Sequence, residues 1–205
     1  MNPVTVLGNA VLLSAPNERT ATVTGAAVRI HQYQGGLEIT QVVGTVGGTS
    51  PTLDGKIQES EDIGVALATA TYDHTGGAAE RLITKASAFA NYTYTAGDVI
   101  KITAATGGVE VGTYLVGSRE SDNTITLAVD PRLTADATGI SSNAFADVSG
   151  ATFTQVTASD AFESITISAD SSEGYIRYVG TIAGTSPSFD MAAIGFGQQK
   201  RSAAQ

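Results

Sequence analysis

The sequence predicts an all-β protein: a discontinuous antiparallel β-sandwich, jelly-roll-like, interrupted by a small inserted β domain that carries a short helix. Three observations lead there. The 23 glycines stand among abundant Thr, Val, Ala and Ser; Thr and Val favour strands because a branched Cβ suits a pleated surface, and Gly marks turns. Long Leu, Glu and Lys runs, which would announce helices, are absent. Residues 43–54, VGTVGGTSPTLD, return at 179–190 as VGTIAGTSPSFD, with eight of twelve positions identical. Each copy is an apolar run, a Gly-Thr-Ser-Pro turn and a second alternating run, the pattern of a β-hairpin.

Element by element, Val4–Ser14 and Thr20–His31 read as strands, parted by a turn at Ala15–Arg19, where Pro16 and Asn17 sit. Leu37–Val46, the Gly47–Pro51 turn and Thr52–Ser60 form the first hairpin. Beyond Glu59–Asp62 the texture changes. In residues 65–87, Ala79, Leu82, Ile83 and Ala86 recur at three- and four-residue spacings, predicting a short helix. Strands follow at Asn91–Thr95, Val99–Ala104, Gly112–Ser118 and Thr124–Val129, with turns at Ala96–Asp98, Gly107-Gly108 and Ser121–Asn123. Asp130-Pro131 ends this set and residues 132–144 read as a connecting loop. From Phe145 the alternation of the first segment returns, and it runs through the second hairpin to Gly197. The domains are therefore 1–64 plus 145–205, with residues 1–19 as an extended N-terminal arm, and an insert at 65–144. An insert at a hairpin tip is tolerated because loop-closure cost grows only logarithmically with length.

Composition narrows function. The 11 basic residues against 20 acidic ones give a net charge of −9, which argues against nucleic acid, whose phosphates demand Lys and Arg, and against anionic membranes. The absence of Cys excludes disulfides, thiolate metal sites and a Cys nucleophile, and suits a reducing cytoplasm. The apolar N-terminal stretch lacks the basic flank of a signal peptide. No run reaches the roughly 20 apolar residues of a membrane-spanning helix.

The outer segments, spliced together, resemble a family. LEITQVVGTVGGTSPTLDGKIQESED, then FADVSGATFTQVTASDAFESITI and GYIRYVGTIAGTSPSFDMAAIGFGQQK, are similar to small structural proteins of tailed bacteriophages. Those are about half this length and pass directly from the Gln-Glu-Ser segment to the Phe-x-Asp-Val segment. The resemblance covers roughly residues 20–62 and 145–200 and leaves the insert unmatched. It implies a β-sandwich component of the virion, commonly a capsid decoration (cement) protein.

No residue constellation competes as a reactive site. His31 and His74 are the only histidines; His74 lies near Asp73 and Glu80, but zinc needs three or four convergent ligands. Ser50 and Ser186 sit in Gly-Thr-Ser-Pro rather than a nucleophile elbow. Gly47-Gly48 and Gly107-Gly108 lack the Lys and following helix of a phosphate loop. Glu59, Glu61 and Asp62 could offer oxygens to calcium but lack the spaced ligand loop, and a solvated hairpin tip is the better account. Tyr92 and Tyr94 alternate along a strand, placing both rings on one sheet face, where packing or a subunit interface outweighs sugar stacking in a chain with no Trp. Catalytic, cofactor and metal residues are therefore assigned to none, and the chain reads as a non-enzyme.

The resemblance implies a protein that lies on the capsid exterior after assembly in the host cytoplasm. Its partners would be the major capsid protein and itself, as a homotrimer, because the three-fold positions of a shell impose cyclic symmetry. The alternative is a tail or head-fibre component whose insert binds host surface or glycan.

Overall fold

The computed structural model describes residues 10–73, 81–90, 92–107, 111–128, 137–142, 144–170, 172 and 174–200. In chain order the strands are β1 (Ala10–Arg19), β2 (Val23–Thr24), β3 (Val28–Arg29), β4 (Tyr33–Ser60), β5 (Ala70–Asp73), β6 (Leu82–Thr84) and β7 (Val99–Gly107). They continue as β8 (Gly112–Ser121), β9 (Thr124–Leu127), β10 (Ala137–Ser142), β11 (Ala146–Thr152), β12 (Ala161–Ser168) and β13 (Tyr175–Gln199). The protein is all-β, with two antiparallel sheets. Contacts divide it into two compact units, Met1–Glu59 with Ala146–Gln205, and Ser60–Phe145.

In the first unit β4 and β13 lie side by side at the centre of a seven-stranded sheet. Each is far longer than the usual strand of about 3–10 residues, and each has different neighbours along its two halves. β12 borders the first half of β4, with Phe162 opposite Val42, and β11 borders its end, with Ala146 opposite Glu59. β2 and β3 border the first half of β13, with Val23 opposite Gly180 and Val28 opposite Ile176. β1 borders the second half, with Leu12 opposite Ile194. Short strands followed by a long one thus occur twice in the chain, and each long strand is flanked by the short strands of the other copy.

The sheet folds over on itself as a β-sandwich, because residues from both ends of the long strands share one core. Leu13, Leu37, Ile39, Ile167, Phe189 and Met191 come from one layer; Ile30, Leu53, Ile57, Phe153, Ile176 and Tyr178 come from the other. The Phe153 and Tyr178 rings are 6.1 Å apart, and the Tyr178 hydroxyl donates to Gln41 Oε1 at 2.7 Å across the core. Burying each such side chain is worth about 1.5–3 kcal/mol, and the polar pair is tolerated because it is satisfied.

Gly-Thr-Ser-Pro is not a hairpin turn. Both copies are passages within continuous strands, and they pair with each other. Gly48 and Gly184 take φ of 101° and 124°, and Ser50 and Ser186 both take 49°, so the sequence repeat is also a backbone repeat. A Cβ on Gly48 would stand 2.5 Å from the Ser186 carbonyl oxygen; on Gly184 it would stand 2.8 Å from that of Ser50. Residues with positive φ insert bulges that bend a strand, and these bends let one strand serve both layers.

Four further expectations change. Ala15–Arg19 is no turn, because β1 runs through Pro16 with register shifts after Leu12 and Ser14; Pro is accepted at bulges of an edge strand. Of the expected N-terminal arm, residues 1–9 lie outside the described residues and the remainder belongs to β1. Where a short helix was expected, residues 79–80 lie outside the described residues, while Leu82–Thr84 is strand β6, with only Ile83 buried. Its partners on both sides, Tyr72 and Ile125 opposite Ile83, supply backbone bonds that a helix would forgo. Ala137–Ser142, read as loop, forms β10.

The second unit is a closed barrel in the order β10-β5-β6-β9-β8-β7. Tyr72, Ile83, Ile100, Ile102, Ile125 and Leu127 fill it. Closure leaves this sheet no unpaired edge.

Candidate interaction surface

The four strands of the sandwich's first layer are β1, the second half of β13, the first half of β4, and β12. Their odd-numbered residues supply the core: Val11 and Leu13, Phe189 and Met191, Leu37 and Ile39, Ile165 and Ile167. Alternation sends the even-numbered residues outward. Outward-facing Leu12 is 54% exposed, Val42 39%, Phe162 71% and Phe196 39%. Phe162 lies directly opposite Val42, and Phe196 opposite Ala10. Between them stand Ile194 and the small Ala192, with Thr40 hydrogen-bonded to Ser164 at 2.8 Å. The result is an apolar outer face on a sheet whose inner face is already buried.

Acidic residues border that face. Glu18 stands directly opposite Asp190 on the β1–β13 pair, and Glu38 opposite Thr166 on the β4–β12 pair. Two like charges across a strand pair disfavour the sheet slightly, so folding does not account for Glu18 facing Asp190.

The second layer presents the opposite chemistry. Lys56 Nζ donates to Asp147 Oδ2 at 2.8 Å, and Gln58 Nε2 donates to Asp147 Oδ1 at 2.7 Å. Arg177 donates twice to Gln58 Oε1, at 2.9 and 2.7 Å. Hydrogen bonds from Lys56 and Gln58 hold the Asp147 carboxyl below its usual range, and burial lowers the pKa of Arg177.

Beside Phe162 an open groove of about 500 Å3 runs along residues 154–163. Several of its polar atoms are already engaged. Glu163 accepts from the Thr154 backbone N–H at 2.7 Å, Ser159 Oγ accepts from Val46 N–H at 3.0 Å, and Gln41 holds Tyr178. The groove is open and lined mostly by polar residues, and it borders the apolar face at Phe162 without the enclosure of a small-molecule pocket.

The residues weighed for chemistry do not assemble. His31 is exposed and lies edge-on to Tyr175 at 6.1 Å; partial burial, then the charges of Arg29 and Lys200, lower its pKa. His74 and Glu80 lie outside the described residues. Glu59, next to the last residue of β4, lies opposite Ala146 in the first unit, whereas Glu61 is ion-paired to Lys101 in the second. Asp62 is fully buried and accepts from the backbone N–H of Gly64 at 2.7 Å, of Lys101 at 2.6 Å, and from Ser60 Oγ at 3.1 Å. Burial raises its pKa against those bonds. Both its oxygens are engaged at the start of the barrel, so Asp62 is not part of the solvated hairpin tip expected for Glu59–Asp62. Among the described residues no three His, Cys, Asp or Glu gather as metal ligands.

Tyr92 and Tyr94 are not on a strand. Tyr92 is buried with its hydroxyl donating to Asp98 Oδ2 at 2.8 Å, while Tyr94 is exposed, so these two rings do not form a shared sugar platform. Ser50 and Ser186 lie in the paired bends, and the space beside Gly48 is filled by the neighbouring strand β13. Gly107 ends β7, and Gly108 lies outside the described residues.

The outer apolar face went unread in the sequence, although a signal existed. AFESITI and MAAIGFG carry apolar residues in both phases of the alternation, as strands covered on both faces do. Compared with known proteins, the chain matches no family model, no curated protein and no solved structure.

Proposed function

We propose that this protein is a capsid decoration (cement) protein of a tailed bacteriophage, binding the outside of the shell and stabilising it by non-covalent contact. One observation carries the reading: the duplicated sandwich, in the segments that resemble small phage structural proteins, keeps an extended apolar face on its outside. A protein whose work is adhesion needs such a face and no assembled reacting groups. An apolar patch of a few hundred Å2 is the size of the largest on a typical soluble monomer, and patches of that size are often contact sites.

The mechanism is additive burial. Each copy removes apolar area from water at about 25 cal/mol per Å2, less the cost of association. Many modest joints repeated by symmetry then oppose the pressure of packaged DNA. The partners are the major capsid protein and two further copies in a trimer, matching three-fold positions of the lattice. An excess of acidic groups suits a protein turned away from DNA.

The test is compositional and positional. Purified particles should contain the chain in a fixed ratio to the shell protein, antibody should label heads, and empty shells should take up added chain. Label on tails alone, or no uptake by shells, would reject the proposal.

A further inference from the structure

We propose that the outer face of the first layer, centred on Phe162, Val42, Phe196 and Leu12, is the surface that seats on the shell, against a protein surface apolar at its centre and basic at its rim. The inference deepens the shell-binding reading and rests on it.

Size comes first. With fractional exposures of 71%, 39%, 39% and 54% for Phe162, Val42, Phe196 and Leu12, the four side chains present on the order of 350 Å2 of apolar area, taking about 150–250 Å2 for a whole large side chain. A standard interface buries roughly 800 Å2 per partner, with an apolar centre inside a polar rim. The patch has the size of that centre, and Ser164 and Thr166 of β12 and Glu38 of β4 border it as polar rim.

Charge chooses the occupant. Around the apolar centre stand Glu18 and Asp190, directly opposite each other, and Glu38. A second copy seated here face to face across a two-fold axis would use the same patch twice, and would bring its own three carboxylates toward these. Like charges across a contact suppress association, and opposite ones speed it. A rim of Lys and Arg on the partner would neutralise Glu18 and Asp190 together, which also gives that repelling pair a purpose. The second layer offers no equivalent seat, since its outward groups are engaged with one another through Asp147 and Gln58.

The experiment uses the full chain and shells lacking it, with association and dissociation followed over immobilised shells. Phe162→Ser and Val42→Ser should each weaken binding about ten- to a hundredfold, mainly through faster dissociation. The pair Glu18→Gln with Asp190→Asn should slow association and flatten its dependence on salt while changing dissociation little. Lys56→Ser, on the opposite face, should change neither, and far-ultraviolet circular dichroism should show each variant folded. Wild-type uptake that Phe162→Ser leaves intact overturns this assignment alone. So does a self-associated wild type that Phe162→Ser dissolves, as read by sedimentation, because the face would then belong to a second copy. Failure of the wild type to bind shells at all overturns the shell-binding reading and this inference with it.

Discussion

Each layer of the sandwich combines strands from both copies of one strand pattern, and beyond the paired bends the layers differ on one side only. Inward, the copies agree. Leu53 and Phe189 occupy equivalent positions and are both fully buried, and Val46 and Ile182, also equivalent, both pack against the core. Outward they part: Phe162, Val42 and Phe196 cover the first layer, whereas Lys56, Gln58, Asp147 and Arg177 tie the second together. Folding constrains the inner faces equally because both must fill one core. The outer faces are under no such constraint, so their divergence marks where the molecule meets something else.

The largest expected effects lie where the copies agree. Phe189→Ala should cost about 3–5 kcal/mol and Leu53→Ala about 2–5 kcal/mol, through lost burial and the cavity left behind. Chemical denaturation followed by circular dichroism measures both. If one were nearly neutral, the two layers would not share a single core.

The paired bends come next. Gly48→Ala and Gly184→Ala each force a Cβ into a backbone contact under 3 Å at positive φ, and should cost about 2–3 kcal/mol apiece. Equal losses would establish the bends as equivalent. A mild loss in one would mean that only the other holds the ribbon.

Acidity separates groups rather than layers. Asp147, on the second layer, has a lowered pKa; the stability it lends is present above the usual carboxylate range near 3.8 and is lost as pH falls through its lowered value. Asp62, in the barrel, has a raised pKa. Its contribution is greatest below that range and declines as pH rises through the raised value. Urea midpoints taken from about pH 7 to about pH 3 should therefore change slope in opposite senses in Asp147→Asn and Asp62→Asn. Slopes of the same sign would overturn the assignment of Asp62 as a carboxyl whose ionisation is opposed by burial.

Much of this was legible in the sequence. Thr, Val and Gly usage with period-two alternation made the chain all-β, and the repeat at 43 and 179 exposed the duplication. The bends misled because Gly and Pro punctuate a bulge as readily as a turn, and the partner that decides between them lies over a hundred residues away. Identity did not guarantee equal facing either: Val43 is buried while Val179, its counterpart, is only half-buried, since one residue of slip turns a side chain to the other face. For Leu82–Thr84 the helical spacing spanned too few residues to outweigh pairing on both edges. The apolar outer face stayed hidden because alternation separates two faces without telling which one is covered.

The smallest expected effect discriminates most. Phe162→Ser should leave stability within about 0.5 kcal/mol, because a side chain 71% exposed contributes little to folding, while Phe189, another phenylalanine on a strand of the same layer, is indispensable. A loss above about 1.5 kcal/mol would place Phe162 in the fold's own packing and remove the contrast between the layers. A neutral result with improved solubility would instead show that the sheet keeps this ring at no benefit to itself, as expected for a surface kept for contact.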